Sequence, residues 1–233
     1  MPLWIPPLIA FLAGSIPFGL LIAKTKGVNI REHGSGNIGA TNVLRVIGKP
    51  YGIGCLILDF LKGFLPSLLA INVYVIAGKN PQFIMDNLNG MANTFPAVDA
   101  WKAQTLVIIV GLAAIMGHNY SPWIGFKGGK GIATSGGVLV ALMPVGVVVL
   151  LAIWLLFFVT SRYVSVASIG TAIMVPAVTL YGSYRHGYLS DGTWNKPLFV
   201  FSIVVALLAV WRHRPNIKSL MNGTEHKFSK KKK

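Results

Sequence analysis

The sequence is poor in charge, poorest in acidic charge, and carries a single cysteine. Of 233 residues only 12% are charged while 54% are hydrophobic, and the mean hydropathy is +0.64. A soluble globular domain holds about a quarter charged residues, so the main solvent of this chain is lipid rather than water. One cysteine, Cys55, excludes an intrachain disulfide and a cysteine-based metal cluster; it stands in an apolar run and reads as packing. Six Asp and Glu against 21 Lys and Arg leave a formal charge of +15. In so hydrophobic a chain that excess belongs first to loops facing an anionic membrane surface, and nucleic acid is the weaker reading. The start, Met1-Pro2-Leu3-Trp4, lacks the basic segment of a cleavable signal peptide, so the first apolar run is expected to stay in the mature protein.

Charge is absent or nearly so from Leu3 to Ala23, Gly52 to Ala77, Ala103 to Phe126, Gly131 to Ser161, Tyr163 to Tyr184 and Pro197 to Trp211. A helix needs about 20 residues to cross the hydrocarbon core, and five of these stretches suit single spans. The fourth is long for one helix. Pro144 and Gly146 interrupt it, with Gly136 and Gly137 upstream, so two short helices fit it better. Loop charge supports the division. Lys24, Lys26, Arg31, Arg45 and Lys49 follow the first span, Asp86 and Asp99 offset Lys79 and Lys102 after the second, and Lys127 with Lys130 follow the third. Basic loops face the cytoplasm, and only a double crossing within 131–161 puts the basic end of the chain on that side. The expected fold is therefore an all-α integral membrane protein with seven transmembrane helices, two of them (within 131–161) short, N-terminus outside and C-terminus cytoplasmic. A re-entrant pair within 131–161 is the alternative. Residues 1–233 form one membrane-embedded domain, with 212–233 a basic cytoplasmic tail whose Lys230 to Lys233 run is either solvated or anchored to anionic headgroups.

The unusual composition lies in the connections. Gly34-Ser35-Gly36-Asn37-Ile38-Gly39-Ala40-Thr41-Asn42 packs three glycines among hydroxyl and amide side chains, with Arg45 close behind. Glycine lets successive backbone N–H groups converge on an anion, and an arginine adds bidentate charge, which makes a phosphate cradle. A plain turn is the competing reading, though it needs fewer polar groups than Ser35, Asn37 and Asn42 supply. The spacing of Gly34, Gly36 and Gly39 matches GxGxxG, but a membrane span precedes it where a dinucleotide fold needs a strand. The second loop runs Gly117-His118-Asn119-Tyr120-Ser121-Pro122-Trp123 and then Phe126-Lys127-Gly128-Gly129-Lys130-Gly131-Ile132-Ala133-Thr134-Ser135. A nucleotide-binding P-loop would want glycine where Ile124 stands and a hydroxyl where Gly131 stands, so ATP hydrolysis is not expected. A lysine between glycines at the start of a helix still attracts phosphate through dipole, N–H groups and ammonium together.

Two further segments fall on the same predicted membrane face. Arg162, Tyr163, Ser165 and Ser168 open one span, and Arg212-His213-Arg214-Pro215-Asn216-Ile217 closes the last. Within the second span Asp59 and Lys62 stand three residues apart, close enough to pair. Charge at that depth marks either a functional site or an ion pair that fixes packing. His186 and Asp191 have the spacing of a histidine base held by aspartate, but they lie in a loop assigned to the opposite face.

These motifs, in this order from near residue 30 to near 220, resemble the acyl-phosphate-dependent glycerol-3-phosphate acyltransferases of bacterial membranes. The likeness is carried by Ser35 to Asn42 with Arg45, by Gly117 to Trp123 with Phe126 to Thr134, and by His213 to Ile217; Asp59-x-x-Lys62-Gly63 and Tyr163-x-Ser165 agree with it. The resemblance implies seven helices in the bacterial inner membrane with a cytoplasmic active site. It implies glycerol 3-phosphate and fatty acyl phosphate as substrates and lysophosphatidic acid and phosphate as products, with no metal, cofactor, acyl-CoA or carrier protein. Under it, Arg45, Lys130 and Asn216 bind phosphate and transition-state charge, while Ser35, Asn37, Thr41 and Asn42 orient the acceptor. Gly36, Gly39, Lys127, Gly128, Gly129, Gly131, Thr134, Ser165, Ser168 and Arg214 complete the substrate contacts. Three proton acceptors stand open: His118, His213 and a phosphate of the substrates themselves. Two departures are visible: Ser219 replaces an arginine usual in the last motif, and Asn80 to Trp101 is longer than usual. The rival class is a transporter or channel for an organic phosphate, for which an inverted repeat is expected and none is found.

Overall fold

A computed structural model describes residues 1–80, 83–190 and 192–228, with Asp86 placed by its backbone alone. Lys230 to Lys233 and Asp191 lie outside the described residues. The chain divides into two compact units, the first of residues 1–144 with 195–198 and the second of the described parts of 145–194 and 199–233.

In the first unit the opening span is broken into α1 (Ile5–Ser15) and α2 (Phe18–Lys24). Pro17 has no N–H to donate and its ring drives Ile16 out of the helical region, to ψ 118, so the break sits where the sequence places it. A short α3 (Ala40–Val46) then leads into the long α4 (Lys49–Val73). α5 (Ala100–Asn119) and α6 (Ile132–Leu142) complete the unit. Glycine lets these helices touch backbone to backbone. A Cβ at Gly14 would overlap the Ala114 carbonyl and one at Gly117 the Phe11 carbonyl, so α1 and α5 meet through reciprocal glycines. α4 and α6 repeat the device with Gly63 against Thr134 and Gly137 against Phe60. Between helices in lipid, close packing replaces the hydrophobic effect as the cohesive force, which is why small residues line the contacts.

The long segment between α4 and α5 holds a small departure from the all-α expectation. β1 (Tyr74–Ile76) and β2 (Asn93–Phe95) pair in parallel, Tyr74 opposite Asn93. Asn72 pins the loop beneath them, donating to the Phe83 carbonyl at 2.8 Å and accepting from the Met85 N–H at 2.8 Å.

The second unit contains α7 (Pro144–Ser161), α8 (Val164–Arg185), most of α9 (Lys196–Arg212) and α10 (Arg214–Met221). α9 and α10 bend by 53° at their junction, where Pro215 opens the new helix at a position whose N–H needs no partner. Among the described residues five helical segments are long and apolar enough to cross a membrane, or six if the bent α9–α10 pair is one span. The break expected within 131–161 falls immediately before Pro144, but it is uneven. α6 has 11 residues and reaches about 16 Å, roughly half the hydrocarbon thickness, whereas the 18 residues of α7 reach about 27 Å. Only one of the two is short. Gly136 and Gly137 lie inside α6 rather than at the break, because the close approach to α4 requires a glycine at 137.

Candidate active site

In the first unit the two glycine-rich loops come together. Gly34 and Gly36 take φ of +60° and +66°, the left-handed region open to glycine. The turn they make is organised by Asn42, buried at the start of α3. Its amide donates to the carbonyls of Ile30, His33 and Asn37 at 3.3, 3.0 and 2.9 Å, and its oxygen accepts the Ser35 N–H at 2.9 Å. Asn37 turns inward in the same way and accepts the Gly39 N–H at 2.8 Å. The amides of both residues are thus engaged with the loop backbone, while the Ser35 side chain and Arg45 are exposed and Thr41 is half-buried.

The second loop is wound around the end of α5. The N–H groups of Gly128 and Gly129 donate to the carbonyls of Asn119 and His118, each at 3.1 Å. A Cβ at Gly128 would overlap the His118 carbonyl, and one at Gly129 would overlap the His118 imidazole. Gly131, at φ +80°, then opens α6. The loop presents Lys127 exposed and Lys130 half-buried. Arg31 ties the loops together by donating to the Lys127 carbonyl at 2.9 Å. An apolar cluster of Ala23, Ile30, Ile38, Val43 and Cys55, with Ile124 against it, supports both.

Beneath the second loop lies the buried ion pair. Lys62 Nζ is 2.8 Å from Asp59 Oδ1, both side chains 4% exposed, and also donates to the Ile16 carbonyl at the α1–α2 break, 2.9 Å away. His118 Nδ1 stands 3.6 Å from the same Asp59 oxygen. One polar chain therefore runs from Lys62 through Asp59 and His118 to the face of Gly129. Two buried side chains beside the loop, the Asn119 amide and the Thr134 hydroxyl, have no hydrogen-bond partner among the described residues. Such groups cost about 1–3 kcal/mol each when left unmet, which marks them as places where a substrate or water docks. Asn119 was passed over in the sequence; its only signal is its place beside His118 at a span's end.

In the second unit, Ser165 opens α8 buried and donates to Glu225 Oε1 at 2.7 Å. Asn216 on α10 donates to the same oxygen at 2.7 Å. Ser168 accepts the Trp154 indole N–H at 3.3 Å. His213 is buried and its Nδ1 lies 2.7 Å from the Ala209 carbonyl. Arg214 stacks on Trp211 at 4.4 Å. Ser219 bonds back to the Pro215 carbonyl at 3.0 Å. Glu225, at the centre of this cluster, was not foreseen, because nothing local in the sequence links it to Ser165. His186 stacks on Tyr188, and its proposed partner Asp191 is outside the described residues. A separate cavity of about 230 Å³, lined by Tyr74, Lys79, Gln104, Leu142 and Leu198 among others, sits at the end of α5 remote from the glycine loop.

The chain is similar to known proteins over nearly its whole length. The family described as glycerol-3-phosphate acyltransferase matches residues 4–223. A glycerol-3-phosphate acyltransferase of Aquifex aeolicus (strain VF5) is 38% identical over 221 residues, covering 95% of this chain and 96% of that one. One of Desulforamulus reducens (strain ATCC BAA-1160 / DSM 100696 / MI-1) is 41% identical over 225 residues, covering 96% and 94%. The crystal structure of PlsY (YgiH), an integral membrane glycerol 3-phosphate acyltransferase, superposes in its glycerol 3-phosphate form with a TM-score of 0.76 at 37% identity, over 97% of this chain and 96% of that one. Its lysophosphatidic acid form gives 0.73 at the same identity, over 97% and 95%. By these measures the chain belongs to the integral membrane glycerol-3-phosphate acyltransferase family.

Proposed function

We propose that the protein transfers a fatty acyl group from acyl phosphate to glycerol 3-phosphate, releasing lysophosphatidic acid and inorganic phosphate for phospholipid synthesis. The observation that carries this reading is the Gly128–Gly131 loop, held against His118 and Asn119 with Lys130 at its centre and tied by Arg31 to the loop that leads to Arg45. The two cations suit the phosphates that both substrates bear, while the N–H groups of Gly128 and Gly129, expected from sequence to face an anion, are spent on the Asn119 and His118 carbonyls and hold the loop in place.

In the proposed reaction a glycerol hydroxyl oxygen attacks the acyl carbonyl, the bond to phosphate breaks, and the hydroxyl proton passes to phosphate. The mixed anhydride has a good leaving group, so positioning and charge neutralisation do most of the work. Arg45 and Lys130 would meet phosphate charge, with Ser35 and Thr41 on the acceptor and Thr134 and Asn119 satisfied by substrate or water. Asn42, Asn37 and the glycines act by shaping the loop, and His118 by supporting it. His213, Arg214, Asn216, Ser165 and Ser168 keep their assignment to substrate, each open to single substitution. The donor is acyl phosphate directly, without acyl-CoA or carrier protein, and no cofactor is assigned. Residues 1–233 are read as one membrane-embedded domain. Seven crossings of the bacterial inner membrane, with the N-terminus outside and the glycine loops and the tail from 212 in the cytoplasm, follow the positive-inside rule.

Purified protein given glycerol 3-phosphate and acyl phosphate should form lysophosphatidic acid and phosphate in equal amounts. No product, together with phosphate uptake into liposomes, would replace the enzyme by a transporter. For topology, single cysteines placed at Lys79 and Lys218 in a Cys55→Ser background should label from opposite sides of intact cells.

A further inference from the structure

We infer that Glu225 is a positioning residue that turns Ser165 into a hydrogen-bond acceptor for the hydroxyl-bearing substrate; the inference rests on the acyl transfer proposed above. A serine hydroxyl has one proton, and that of Ser165 is given to Glu225 Oε1 at 2.7 Å. The same oxygen takes one amide proton of Asn216 at 2.7 Å. Toward anything else Ser165 can present only lone pairs. It is thus ill-suited to a phosphate oxygen and well suited to a substrate O–H. Of the two proposed substrates only glycerol 3-phosphate carries carbinol hydroxyls.

Serine and threonine within helices ordinarily bond back to the carbonyl four residues earlier. Thr179 and Ser183 on the same α8 do so, to Val175 and Thr179. Ser165 stands in the first turn of α8, where its own helix has no carbonyl four residues back, and its proton goes instead to a carboxylate near the other end of the chain. That carboxylate is itself fixed. Gly223, at φ +68°, turns the chain after α10, the Thr224 N–H donates to the Ser219 carbonyl at 2.8 Å, and the Phe228 N–H donates to the Arg162 carbonyl at 2.9 Å. The Phe228 ring packs edge-on against Phe158 at 5.7 Å. Segment 223–228 is a built strap that delivers one carboxylate oxygen to two donors.

The test is steady-state kinetics of the full-length protein with both substrates varied, for Glu225→Ala, Glu225→Gln, Glu225→Asp and Ser165→Ala. Glu225→Ala and the shortened Glu225→Asp should each raise KM for glycerol 3-phosphate by about tenfold or more, the factor carried by a hydrogen bond to a charged group, with KM for acyl phosphate changed less than about twofold. Glu225→Gln keeps an accepting oxygen in place and should stay within about threefold of wild type. In a Ser165→Ala background Glu225→Ala should raise KM for glycerol 3-phosphate by a clearly smaller factor than in wild type, the remainder being what passes through Asn216. If Glu225→Ala does not fold, Glu225→Asp carries the same comparison. A fall in KM for glycerol 3-phosphate would instead make Glu225 a competitor of the substrate anion and overturn the inference. So would unchanged kinetics with a lowered Tm. A wild-type protein that makes no lysophosphatidic acid refutes the acyl transfer itself; an active wild type with unaffected Glu225 variants refutes only this inference.

Discussion

Lys62→Met should be among the most destabilising single changes in the first unit, and adding Asp59→Asn should restore part of the loss. Lys62 is the nearest cation to Asp59, at 2.8 Å, and both side chains are 4% exposed. Methionine matches the lysine stem in shape but leaves the carboxylate facing only the Cys55 thiol at 3.7 Å and the His118 ring at 3.6 Å. Removing one partner of a buried pair costs about 3–5 kcal/mol. For a chain of this length each kcal/mol moves Tm by roughly 2–4 °C, so the single variant should melt about 6–20 °C below wild type. The Ile16 carbonyl still accepts the Phe18 N–H at 3.1 Å, so no second orphan is created. With Asp59→Asn added, no unpaired charge remains, and more than half of the loss should return. Cys55 is the only cysteine and fully buried, so a thiol-reactive fluorophore reports its exposure on heating in detergent. A Lys62→Met protein melting within about 2 °C of wild type, or a double variant melting below both single ones, would refute the argument that unpaired charge is the cost.

Other substitutions separate loop geometry from chemistry. Lys130→Ala should lower kcat by about 100-fold or more, the scale of one lost charge-stabilising donor, with little change in Tm; full activity would remove it as a phosphate ligand. Gly129→Ala places a methyl where the His118 imidazole lies, and a loop displacement on the order of 1 Å should cost about 100-fold in kcat/KM, measured with both substrates. Thr134→Val removes a buried hydroxyl that has no partner among the described residues. It should raise stability by about 1 kcal/mol while lowering kcat/KM, and a drop in Tm would show that the hydroxyl is satisfied in the resting protein. Asn42→Ala should lose both stability and activity, since four hydrogen bonds to the first loop go with it.

Much of this architecture is legible in the sequence because lipid makes the local rules strict. A stretch without charge and of sufficient length has few alternatives to a membrane helix, and Pro144 marks the break between α6 and α7, whereas the break at Pro17 falls inside a stretch that reads as one span. The glycine loops are legible for a related reason: Gly34, Gly36 and Gly131 hold backbone angles that other residues rarely adopt. What escapes is whatever depends on contacts between distant segments. Gly136 and Gly137 look like helix breakers in one dimension, yet Gly137 sits in α6 because α4 lies against it. The pairing of β1 with β2 joins two three-residue segments, too short for any periodicity to announce. Ser165 and Glu225 lie 60 residues apart, and a lone glutamate in a basic tail carries no mark of its partner.

Asp59 shows how the two kinds of information combine. From sequence, a carboxylate three residues from a lysine in a membrane helix is ambiguous between a reaction and a brace. The geometry resolves the pairing and adds the reason for its depth. Asp59 stands far enough into α4 to lie beneath the end of α5, where His118 closes α5 and meets the glycine loop. A loop with so little side chain cannot fix its own conformation through packing, since glycine loses more backbone freedom on ordering than any other residue. Its order has to be imposed from below, and away from water a buried ion pair with the His118 ring 3.6 Å from its carboxylate does this with more directional force than apolar contact. The buried ion pair is then a consequence of the glycine loop. A glycine loop that presents Lys130 needs a rigid floor, and Lys62 with Asp59 on α4 and His118 on α5 supply it.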